Sequence, residues 1–123
     1  MEKLPVGKED LAKYHDDVEI VRKTAKQVIK DFAEFGIDIS FPTNLKFAYN
    51  QLFDELSPII QEIIDKDMSR LYSLLYRIDI HESTVRKGTH EMNKLELHDV
   101  ITHLILEREL KKVLTRLHFS QNS

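Results

Sequence analysis

Cysteine is absent from this chain, and only three glycines and three prolines punctuate its 123 residues. Without cysteine there is no disulfide framework, no thiolate metal site and no thiol nucleophile. So few turn-formers leave little for the many hairpins of an all-β fold, and long helices with few breaks suit the shortage better. Long hydrophobic runs are missing as well. No segment approaches the length of a transmembrane helix, and the opening MEKLPVGKED holds no apolar stretch of the signal-peptide kind. No membrane association is expected, and the expected compartment is the cytoplasm. Nor does charge of one sign dominate, the net value being −3. Residues 31–67 carry eight acids against two bases, whereas 1–30 and 68–123 are each slightly basic. The acidic stretch repels a phosphate backbone, which disfavours nucleic acid as a partner.

What is present is the composition of a folded helical domain: 41% apolar and 32% charged, too apolar for a disordered chain and the right length for one core. Leu11, Tyr14, Val18, Val21, Ala25, Val28, Phe32 and Phe35 follow each other at alternating spacings of three and four. Such a heptad seam predicts a helix over 11–35, with Asp10 as N-cap and Gly36 where a left-handed C-terminal residue is wanted. Leu45, Tyr49, Leu52, Leu56, Ile59 and Ile63 repeat the pattern. Pro58 lies inside this second seam, but the register continues across it, which predicts one kinked helix rather than two. Between the seams, Ile37, Ile39 and Phe41 alternate with polar residues and end at Pro42. No second strand-like run exists to pair with them, so 37–42 is expected to be an extended connection laid over the end of the bundle. Asp67 is placed to cap a shorter helix through Met68, Leu71, Leu75 and Ile78. Residues 80–94 are polar, contain Gly88 and are expected to be a linker with at most one helical turn near 82–87. A last helix is expected over 95–119.

Candidate chemistries are incomplete. Di-iron bundles need Glu-x-x-His pairs, because a spacing of three turns both ligands inward, and none of the six histidines has a glutamate three positions before it. His98-Asp99 matches the dipeptide at the centre of HD-type metal phosphohydrolases. That pattern needs an earlier histidine, for which His81 or His90 would serve, and a later aspartate, which is missing. Glu62/Asp65 and Glu96/Asp99 have the spacing of Mg²⁺-holding pairs in helical nucleotide pyrophosphohydrolases. The companion run of glutamates is absent, and Asp31/Glu34 is a poor substitute. Spaced acids on an amphipathic helix are ordinarily its wet face. His103 stands four residues from both Asp99 and Glu107, but such a row is ordinarily a hydrogen-bonded surface stripe. Arg70, Tyr72, Tyr76 and Arg77 mix cations and aromatics as nucleic-acid surfaces do, though tyrosines beside Leu71 and Leu75 ordinarily complete a core edge.

One anomaly remains, in the last helix. At 100° per residue, Leu97, Val100, Ile101, Leu104 and Ile105 fall on one face, while Leu106, Leu110, Val113, Leu114 and Leu117 fall roughly opposite. A helix with apolar residues on opposite sides in successive halves must bury both. A partner surface, a contact within the chain or a helix break each resolves this, and no Gly or Pro in 95–119 favours a break.

The expectation is therefore an all-α, single-domain four-helix array spanning 1–123, mostly antiparallel and packed along heptad-like seams, with 1–9 and 120–123 frayed. No catalytic residue, metal or cofactor is assigned, which weighs against an enzyme. The expected function is a non-enzymatic helical interaction module, with a homodimer or protein partner held by Leu106, Leu110, Val113, Leu114 and Leu117 of the C-terminal helix. The competing expectation is a metal-dependent phosphohydrolase or nucleotide-handling bundle built on His98/Asp99 or the Glu-x-x-Asp carboxylates.

Overall fold

In the computed structural model, which describes Tyr14 and residues 17–121, five helices follow one another and none of the described residues forms a strand. They are α1 (Val18–Ala33), α2 (Ala48–Lys66, preceded by a 3-10 turn over Leu45–Phe47), α3 (Met68–Ile78), α4 (Glu82–Glu91) and α5 (Leu97–Gln121). The fold is all-helical, as the seams require. Asp10, the expected N-cap, lies outside the described residues; within them Asp17 caps α1 by accepting from the Ile20 N–H at 3.2 Å. The seam residues Val21, Ala25, Val28 and Phe32 are buried. Gly36 takes φ +70°, and the Ile37 and Gly36 N–H groups return to the Phe32 and Ala33 carbonyls at 3.1 and 3.0 Å. That is the Schellman geometry a glycine permits after a helix. α2 runs unbroken through Pro58, and Asp67 caps α3 through the Arg70 N–H at 3.1 Å.

The extended connection has no sheet partner and finds its hydrogen bonds elsewhere. Glu55 accepts from the Ser40 N–H at 2.9 Å, and Gln51 bridges the Asn44 N–H and the Thr43 hydroxyl. Side chains of α2 thus replace a ladder. Ile39 is buried and Ile37 packs on the core, but Phe41, expected beside them, is exposed.

The linker expected over 80–94 is largely helix, which makes five helices rather than four. Its turn-former is a contact point instead. A Cβ at Gly88 would sit 3.1 Å from Leu104 Cδ1 and 3.2 Å from Val100 Cγ1, so glycine is what lets α4 approach α5 closely. Val85 and Met92 pack on the core on either side of the buried Gly88, at helical spacings of three and four. The rest of α4 is wet, which is why its composition resembles a loop.

α5 occupies the centre and packs against all four other helices. The principal core joins residues of every helix, from Phe32 through Leu56, Leu74, Ile78, Val85 and Ile105. A second, smaller cluster joins Ile20 to Leu110, Val113 and Leu114, with Tyr14 and Leu117 against it.

Candidate functional site

The central position of α5 explains its change of face. Its first half turns Val100, Ile101, Leu104 and Ile105 into the principal core, and its second half turns Leu110, Val113 and Leu114 toward α1. The helix does not break. Leu106, Leu110, Val113 and Leu114 are buried within the chain and Leu117 is half-buried. Four of the five side chains expected at an interface are therefore closed off within the chain, Leu110, Val113 and Leu114 packing with Ile20 of α1 and Leu106 in the principal core, while Leu117 stays partly open.

Between these halves sits a buried charged cluster. Glu109 is 0% exposed and Asp31 1%, facing each other across the α1–α5 seam. Lys112 Nζ lies 2.9 Å from Glu109 Oε1 and 3.2 Å from Asp31 Oδ2, and Arg77 Nε lies 3.4 Å from Asp31 Oδ1. Neither Glu109 oxygen accepts a hydrogen bond, so the lysine is close without good geometry. Burial, reinforced by hydrogen bonding to Asp31, pushes the Glu109 carboxyl up to about 8. Burial also raises Asp31, but hydrogen bonds from Glu109 and Gln27 and the Lys112 ammonium outweigh it and hold that carboxyl below its ordinary value. The two carboxyls are thus pushed in opposite directions, Glu109 toward its protonated form and Asp31 toward its ionised one. The polar chain continues outward: Gln27 Nε2 donates to Asp31 Oδ1 at 3.1 Å, and Arg116 Nη1 donates to Gln27 Oε1 at 2.6 Å. The cleft beside the cluster is lined by Gln27 and Arg116 rather than by either carboxyl. Sequence reasoning did not single out Glu109 or connect it with Asp31. The signal was present, since 109 stands four residues after Ile105 and four before Val113.

The residues singled out for metal chemistry are scattered. Asp99 accepts from the Ser57 hydroxyl at 2.6 Å and so ties α5 to α2, with His98 Nε2 3.5 Å away. His103 leaves the expected surface row: its Nδ1 shares a 3.1 Å hydrogen bond with the Tyr49 hydroxyl, and its ring lies 4.5 Å from that of Phe53. Burial lowers the His103 imidazole, partly offset by Asp99, and burial raises the Tyr49 phenol. Glu62 pairs with Lys66 at 3.1 Å on an exposed face, and His81 and His90 are exposed. Among the described residues no three His, Asp or Glu side chains converge as a metal site would require.

What the surface does offer is a groove of about 410 Å³ between α3, α4 and the start of α5, lined by Met68, Tyr72, Tyr76, Val85, Leu97 and Ile101 among others. Tyr76 is 88% exposed and Tyr72 60%, with Met68 and Leu97 also open. These tyrosines stand away from the core edge they were expected to complete. α3 ends in a left-handed residue: Asp79 takes φ 72°, held by Arg108, which donates to its carbonyl at 3.1 Å and its carboxylate at 2.8 Å. The chain then turns into α4, whose residues line the groove together with α3. Comparison with protein-family models, with curated proteins and with solved structures returns no match, so geometry alone bears on what this surface does.

Proposed function

We propose that this chain is a helical interaction module that works by binding rather than by chemistry, pairing with a second copy of itself through the tyrosine groove. The observation that carries the reading is the exposure of Tyr72 and Tyr76 above an apolar cleft, a combination enriched where proteins meet. Tyrosine brings large contact area at a low entropic cost. The groove also carries charge of both signs on one helix. Glu82 and Arg86 line it from the same helix, four residues apart and paired at 3.1 Å. A two-fold axis between antiparallel copies of α4 would set Glu82 of one against Arg86 of the other, while the protruding tyrosines of each enter the cleft of its mate. Exchange of these exposed ion pairs fixes register more than it adds affinity.

Sedimentation velocity across a concentration series tests this. Wild-type protein is expected to associate as concentration rises, and Tyr72→Glu with Tyr76→Glu to remain monomeric with unchanged helix content, since both side chains are already in water. A wild-type chain that stays monomeric at high micromolar concentration removes the second copy as occupant. A double variant that still dimerises moves the interface to another face.

A further inference from the structure

Apart from the tyrosine groove and sharing none of its lining residues, α1 and the end of α5 form a second cleft, of about 280 Å³, lined by Lys23, Lys26, Gln27, Lys30, Val113, Arg116 and Leu117. No acid lines it. The three lysines fall at i, i+3 and i+7, so helical geometry stacks them along one edge of α1. None of them makes an ion pair or hydrogen bond among the described residues, whereas Lys66, Lys87, Lys112, Arg22, Arg77, Arg86 and Arg108 all have acidic partners. Like charges at these spacings repel by a few tenths of a kcal/mol per pair, and no acid among the described residues pairs with them.

Arg116 faces the lysines from α5, and it is held. Gln27 is buried beneath the cleft and uses both ends of its amide, the oxygen accepting from Arg116 Nη1 and the nitrogen donating to Asp31. One edge of the guanidinium is thereby fixed and its remaining N–H donors are left for a ligand. A planar, pre-oriented fork of this kind matches phosphate oxygens, and flanking ammonium groups add point charges around it. Val113 and Leu117 close the base with apolar surface, which strengthens electrostatics by excluding water.

We infer that this cleft is a binding site for a compact, multiply charged phosphate compound, gripped by Lys23, Lys26, Lys30 and the Gln27-oriented Arg116. The volume lies at the small end of ligand pockets, enough for a diphosphate or a phosphorylated sugar. Among the described residues no aromatic side chain lines the cleft to stack a base, so single-stranded nucleic acid is poorly served. The site shares no residue with the tyrosine groove, and its fate is independent of the dimer proposed there.

Pyrophosphate is the probe, with titration calorimetry at modest ionic strength as the readout. One saturable site per chain is expected. Lys26→Gln with Lys30→Gln should weaken it at least tenfold, while Lys66→Gln with Lys94→Gln, which removes the same charge elsewhere, should leave it within twofold. Gln27→Met keeps every charge but releases Arg116, and should weaken binding several-fold in a protein that circular dichroism shows to be folded. Equal losses in the two lysine pairs would reduce the effect to general electrostatics and overturn the site. So would the absence of saturation, or binding confined to phosphatidic acid vesicles or to an acidic peptide with none to pyrophosphate.

Discussion

Replacing Glu109 with glutamine should make the protein more stable than wild type at alkaline pH and no more stable in acid. Glu109 is fully buried and its carboxyl titrates at about 8 in the fold, against 4.5 for the unperturbed group. Between those two values the folded state holds a proton that the unfolded chain has released. Wild-type stability therefore falls as pH rises through that window, by at most about 1.4 kcal/mol per pH unit, and levels off above the folded value. Across roughly three pH units, with water penetration softening the penalty, the accumulated loss is on the order of 2–4 kcal/mol. That is a large share of a stability near 5–15 kcal/mol. Glutamine has the shape of the neutral acid and an N–H that can be turned toward the Asp31 carboxylate, yet it has no charge to acquire. Asp31 works in the opposite sense, since its lowered value contributes stability that disappears only when pH falls through it. Urea denaturation of both proteins from pH 5 to 9 is the assay, read as the difference between them so that the histidines cancel. The gap should open in favour of Glu109→Gln with rising pH and become constant above about 8. Parallel profiles would refute the reasoning, as would a gap that closes.

Other perturbations probe packing. Gly88→Ala adds helix propensity of up to ~1 kcal/mol but drives a methyl against Val100 and Leu104, at an overpacking cost of 1–3 kcal/mol in order of magnitude. A net loss of about 1 kcal/mol is expected in urea melts, and a gain would mean that α4 and α5 are not in close approach. Phe32→Ala and Leu52→Ala remove buried mid-seam side chains and should cost ~3–5 and ~2–5 kcal/mol; losses under about half a kcal/mol would mean those faces meet solvent. Leu110→Glu should unfold the chain, at roughly 4 kcal/mol or more, as followed by circular dichroism. A folded monomer from that change would return the C-terminal stripe to the role of an interface.

Two helices were legible in the heptad seams expected over Leu11–Phe35 and Leu45–Ile63, because a 3.6-residue period is a local property that each segment carries within itself, although the first described helix begins only at Val18. Gly36 as a left-handed terminus, Asp67 as a cap and the passage of one helix across Pro58 were legible for the same reason: each depends on a few neighbouring residues. Helix α4 was not, because its only apolar contacts are Val85 and Met92 with a glycine between them. Propensity counts Gly88 as a breaker, and only the proximity of Val100 and Leu104 makes it a packing surface. The charged cluster was hidden likewise. Asp31 and Glu109 are separated by most of the chain, and a carboxyl reads as solvated until another helix is laid over it. The change of face in α5 lay between these extremes. The sequence by itself determined that both sides of the helix must be covered, since leucines and isoleucines on opposite faces cannot all be left in water. Which surface covers them was decided only by tertiary structure, which puts α5 at the centre and α1 over its second half, because burial depends on what arrives from elsewhere in the chain.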